Sequence, residues 1–164
     1  MKILLEKISS YNIFNYLLPG IIFVILAEKM TTFSFIQENI LLGLFFYYFI
    51  GLIISRIGSL TIEPVFKKIK IIHFADYKDF IASSQKNNKI ELLSEINNMY
   101  RTLCSLFLVI IAIKIYERLV NELTMIRNWT IEIVIIGLFI LFMLSYRKQT
   151  QYTTKLIQTI LKKG

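Results

Sequence analysis

Four long runs of apolar residues, 13–27, 40–54, 103–120 and 129–146, limit what this chain can become. A helix that crosses a bilayer needs about 20 predominantly apolar residues, with a minimum near 17. The last two runs reach that minimum alone, and the first two reach it with flanking residues. The expected spans are therefore about 11–28, 36–55, 102–120 and 129–146. A soluble bundle would carry a polar stripe at the helical period on each helix. Stretches 103–113 and 133–144 carry none. Composition agrees: only 18% of the residues are charged and mean hydropathy is +0.60, against roughly a quarter charged in soluble domains. The expected fold is all-α, a polytopic integral membrane protein. Four transmembrane helices with helical cytoplasmic extensions would form one membrane domain over 1–164. The first run does not read as a cleaved signal peptide, because Ala27-Glu28-Lys29 follows it without a small-x-small site.

Basic residues give the orientation. With four spans, fifteen of the 19 Lys and Arg fall on one side and four on the other. The positive-inside rule places the richer side in the cytoplasm, together with both termini. The same arithmetic accounts for a net charge of +8 without nucleic acid, since anionic headgroups attract cations at span ends.

Segment 56–101 is then cytoplasmic and too short for a well-cored domain of its own. Its first part reads as an extension of the second span that stops near Pro64, because a residue before proline avoids the α region. Gly51, Ser55 and Ser59 recur every four residues, with Gly58 beside them. Such a ridge of small residues lets another helix approach closely. It is the expected surface for helix packing and for assembly with further copies. In the second part, Phe74, Tyr77 and Phe80 are expected to pack inward. In the third part, Leu92, Ile96, Met99 and Leu103 follow helical spacing and lead into the third span. Glu91, Glu95 and Asn98 share another face, with Arg101 near its end. A polar network is expected, with Arg56 meeting Glu95 or Glu91, and Glu63 meeting Arg101. The tail, 147–164, reads as a basic amphipathic helix that continues the fourth span or lies on the membrane.

Catalysis is not expected. There is one histidine, His73, and no nucleophile is identified beside it. The sequence has no P-loop, HExxH or GxGxxG pattern. No cofactor and no metal is expected, and His73 reads as structural. The single cysteine, Cys104, reads as a buried, inert thiol. Ion-coupled transport is disfavoured, because Glu38, Lys114, Glu117, Arg118 and Glu132 cluster toward span ends rather than mid-membrane. The one backbone break within a span is Pro19-Gly20, the expected hinge.

The strings IISRIGSLTIEP (53–64), ADYKDFI (75–81) and LSEINNMYRT (93–102) resemble a group of small uncharacterised bacterial four-helix membrane proteins, over roughly residues 40–105. The overall plan is similar to membrane components of bacterial anti-phage systems. That resemblance implies the inner membrane of a bacterium as the location, and an oligomeric inner-membrane component of a defence system, acting as a pore or a membrane-perturbing effector. The alternative is a membrane anchor or sensor that recruits a cytosolic partner through its basic cytoplasmic face. Membrane lipid and further copies of the chain are the other expected partners.

Overall fold

Proline and asparagine punctuate the helices. The computed structural model describes residues 13–161, and every regular element in them is helical. A π-helical turn, π1 (Ile13–Leu17), leads into α1 (Leu18–Met30). The π1 turn runs directly into α1 with Leu17 in the α region, so Pro19 lies inside one continuous helical stretch. Residues 33–37 are irregular, and α2 (Ile40–Ile57) starts where the Asn39 side chain accepts a hydrogen bond from the Leu42 N–H at 3.1 Å. That cap moves the start of the second helix to Ile40, four residues beyond the expected 36.

The second helix does not stop at Pro64. A π-helical turn, π2 (Gly58–Ile62), carries it into α3 (Glu63–Lys68), giving 29 continuous residues. The Glu63 N–H reaches back five residues to the Gly58 carbonyl. The next donor in that register would be Pro64, which has none. The chain stays helical past the proline, with Glu63 in the α region before it. The helix ends with Lys70 in the left-handed region (φ 61°). There the Ile71 N–H bonds the Phe66 carbonyl and the Lys70 N–H bonds the Lys67 carbonyl, a Schellman end with lysine where glycine is usual.

After a short helix α4 (Tyr77–Ser84), the chain returns as α5 (Lys89–Glu122), turns through α6 (Thr124–Asn128), and runs back as α7 (Thr130–Leu161). The expected third span lies within the 34 residues of α5, and the expected fourth begins the 32 of α7. The tail continues α7 without a break as far as Leu161, and 162–164 lie outside the described residues. So do the first expected span's opening residues, 11 and 12.

Helix 1 (π1 and α1), helix 2 (α2, π2 and α3) and α5 pack around one core of Phe23, Val24, Ala27, Ile50, Ile54, Leu106 and Ile110. Helix 1 and helix 2 approach at two glycines. A methyl group on Gly20 would overlap the Tyr47 carbonyl, and one on Gly51 would overlap the Tyr16 carbonyl. Helix 2 and α5 are joined by hydroxyls. Ser105 donates to the Ile54 carbonyl at 2.8 Å, and Thr102 donates to the Ser55 hydroxyl at 3.3 Å. Both hydroxyls are buried, so these bonds tie the two helices together where water does not compete.

Two helices, Ile40–Lys68 and Thr130–Leu161, are long and apolar enough to cross a membrane. The α1 segment, at 13 residues, is shorter than a full span, and α5 carries Lys114, Glu117 and Arg118 in its last third.

Candidate functional site

Polar side chains gather at both ends of the bundle. At one end Glu117, 6% exposed, accepts the Thr32 backbone N–H at 2.6 Å and the Lys114 ammonium at 2.8 Å. This pins the connection between helices 1 and 2 to α5, a contact the sequence pattern does not reveal.

The other end is richer. Glu63 opens α3, and it too is only 6% exposed. Its Oε2 meets Arg101 Nη1 of α5 at 2.6 Å. Its Oε1 meets Lys67, one turn on, at 3.0 Å, and Lys148 of α7 at 3.5 Å. One carboxylate therefore fastens three helices. A buried carboxylate without partners would be strongly unfavourable, and three cations remove that penalty here. Lys148 does a second job. Its ammonium donates to the Ser59 carbonyl at 2.6 Å and to the Ser59 hydroxyl at 2.8 Å. That carbonyl is the one Pro64 leaves without a donor in the π register. The proline of one helix thus creates the acceptor that the lysine of another fills.

Helix 2 and α5 run antiparallel, and of the expected pairs the one between Glu63 and Arg101 forms. Ser55 lies beside Thr102, and Ile54 beside Ser105. That register sets Glu63 level with residues 94–96, and Arg101 reaches along α5 with its long side chain to pair with it at 2.6 Å. Arg56 is level with 101–105, so Glu95 is six or more residues, about 9 Å, further along α5. Arg56 instead donates to the Tyr16 hydroxyl at 3.1 Å, tying helix 2 to helix 1. Glu91 is exposed, while Glu95 and Asn98 are half-buried on the far part of α5. Asn98 lines the same cleft as Glu63 and Arg101.

The small-residue ridge is occupied within the chain. Gly51 faces Tyr16, Ser55 faces Thr102, and Ser59 holds Lys148. A methyl group on Gly58 would lie 3.1 Å from the Ser105 Cβ. A second copy could reach this ridge only by displacing the chain's own helices, which corrects its expected role in assembly. Pro19 and Gly20 are both buried, with Gly20 seated on the helix 2 backbone. They form a packing point, not a free hinge.

Other expectations also change. Cys104 is exposed because its position on α5 turns away from the core. Phe74 is 58% exposed, with the Lys67 ammonium 4.3 Å from its ring. Tyr77 and Phe80 are half-buried, and Tyr77 meets Tyr152 of α7 with ring centroids 6.4 Å apart. His73 is exposed beside a cleft of about 450 Å³ that Glu63, Arg101 and Cys104 also line. Among the described residues, no group of three His, Cys, Asp or Glu could hold a metal ion.

No family model, curated protein or solved structure matches the chain. A functional reading therefore rests on the geometry. Residues 56–68 of helix 2, the start of α5 and the end of α7 run past the apolar stretches on the same side. Glu63 locks them together, and Tyr77 adds α4.

Proposed function

We propose that the protein is a four-pass component of a bacterial inner membrane that carries a rigid cytoplasmic stalk for docking a cytosolic partner. In this reading helix 1, helix 2, α5 and α7 all cross, and the Glu63 end lies in the cytoplasm with both termini. The observation that carries it is the buried Glu63, which binds three helices to one another beyond their apolar stretches. A chain that only needed to span would gain nothing from rigid extensions there. Leu92, Leu93 and Tyr100 support the docking role. Each is more than half exposed on α5, on the stalk, where lipid would not cover it. Exposed apolar groups grouped outside a membrane mark interaction surfaces.

A second reading, the oligomeric effector of a defence system, keeps one specific support. The face of α7 is almost bare, with Ile131, Ile135 and Phe139 each more than 60% exposed, and lipid or further copies would cover it.

Topology is tested by single cysteines placed at Ile36, Lys86, Arg127 and Gln158 in a Cys104→Ser chain. An impermeant maleimide should label positions 36 and 127 from outside, and 86 and 158 only after the membrane is opened. Labelling of 86 in intact cells would overturn the orientation. The two roles separate by a photo-crosslinker at Leu92 and by membrane potential on induction. A crosslinked cytosolic protein, lost in Glu95→Lys at unchanged membrane level, with the potential intact, supports the anchor. Depolarisation without any crosslink supports the effector.

A further inference from the structure

Between helix 2 and α7, next to the Glu63 cluster, lies a cleft of about 410 Å³. Lys67, Arg147 and Lys148 line it, and Glu63 is the one carboxylate in its wall. That carboxylate is already shared with Arg101, so four cations surround a single negative charge. Lys67 and Lys148 are partly neutralised by Glu63. Arg147 makes no hydrogen bond or ion pair among the described residues and is exposed at the rim. Along both helices the lining turns apolar one turn before the cations, at Leu60 and Pro64 on helix 2 and Leu144 on α7. The cleft thus sits where the apolar stretches of both helices give way to charge.

An apolar wall running into a floor with excess positive charge is the complement of an anionic phospholipid, whose acyl chain runs into a phosphodiester. Basic pockets between transmembrane helices at the cytoplasmic side bind such headgroups for this reason. Guanidinium and ammonium groups make short, charge-assisted bonds to phosphate oxygens, and Arg147 is free to offer two. We propose that this cleft binds the phosphate-bearing headgroup of an anionic glycerophospholipid, with Arg147 and Lys67 as the cations that hold it. Lys148 lies behind them, kept in place by Ser59. The bound lipid would fill the gap between helix 2 and α7 and balance the cations that Glu63 leaves uncompensated.

The inference rests on the membrane reading, and the test separates the two. The full chain is purified in neutral detergent and titrated with phosphatidylglycerol or phosphatidylcholine, and bound lipid is counted by native mass spectrometry. Phosphatidylglycerol should bind in preference to phosphatidylcholine. Each cation near a headgroup is worth about fivefold, so Lys67→Ala/Arg147→Ala should lose about thirtyfold in phosphatidylglycerol affinity. Arg147→Ala alone, which disturbs no bond within the chain, should lose about fivefold. The pair Lys78→Ala/Lys86→Ala removes the same charge elsewhere and should leave binding unchanged. Equal retention of the two lipids, or equal losses in both pairs, would overturn the proposal. Displacement of the lipid by excess inorganic phosphate would make this a free-phosphate site and overturn the lipid assignment. A chain that stays soluble without detergent would overturn the membrane reading as well, whereas a detergent-dependent chain that shows no lipid preference overturns this inference alone.

Discussion

Among the described residues helix 2 and α7 are the helices long and apolar enough to cross a membrane, yet they are built for different surroundings. In its most apolar window helix 2 has 28% of its residues buried inside the chain, and α7 has 6%. Gly51 of helix 2 presses on the helix 1 backbone, while a methyl group on Gly137 of α7 would meet nothing within 4 Å. Helix 2 is held along its length, by glycines against helix 1 and by hydroxyls against α5. The α7 helix is held by a Phe49–Phe142 stack, with ring centroids 6.1 Å apart, and by polar and aromatic contacts beyond its apolar part. Similar hydropathy therefore conceals two modes of attachment. One is continuous packing, and the other is attachment at a few points, including a 2.7 Å bond between Thr130 and Tyr116 of α5, with a face left bare.

The substitution expected to do most is Glu63→Ala. It leaves Arg101, Lys67 and Lys148 without their shared partner and should destabilise the chain by about 3–5 kcal/mol, read by reversible SDS unfolding in bicelles. It would also free α7 from helix 2. A loss below about 1 kcal/mol would mean that the cluster does not hold the helices together. Next comes Gly51→Ala. Its new methyl meets backbone, which cannot rotate away, so the loss should reach the upper end of about 1–3 kcal/mol. Lys148→Met removes the donor to the Ser59 carbonyl and should cost about 1–3 kcal/mol. Because this lysine serves α7, the loss should appear as faster hydrogen exchange in α7 while helix 1 is unaffected. The smallest effect belongs to Gly137→Ala, a gain within about 1 kcal/mol from helix propensity alone. A loss as large as that of Gly51→Ala would erase the contrast between the two helices.

Much of this plan is legible in the sequence. The apolar runs, the all-helical fold and the closeness of Glu63 to Arg101 follow from residue type and spacing. What spacing cannot give is which neighbour covers a face. The period of Gly51, Ser55 and Ser59 reveals a close approach, but the same ridge would serve a second copy or the chain's own helices. Arg56 needed a partner, and only the folded chain shows that the Tyr16 hydroxyl of helix 1 is the one it meets. Pro64 reads as a stop because a residue before proline avoids the α region. Glu63 nonetheless keeps α-region angles before the proline (φ −59°, ψ −51°), and neither Ser59 nor Lys148, 89 residues apart, signals locally the bond between them.

That bond also orders events in time. Helix 2 leaves the ribosome long before Lys148 is made, so its Ser59 carbonyl must first be served by water. When α7 arrives, its lysine takes the water's place. The last helix to be synthesised thereby completes the hydrogen bonding of the second, and a chain truncated before Lys148 would retain a hydrated defect in a helix that is otherwise whole.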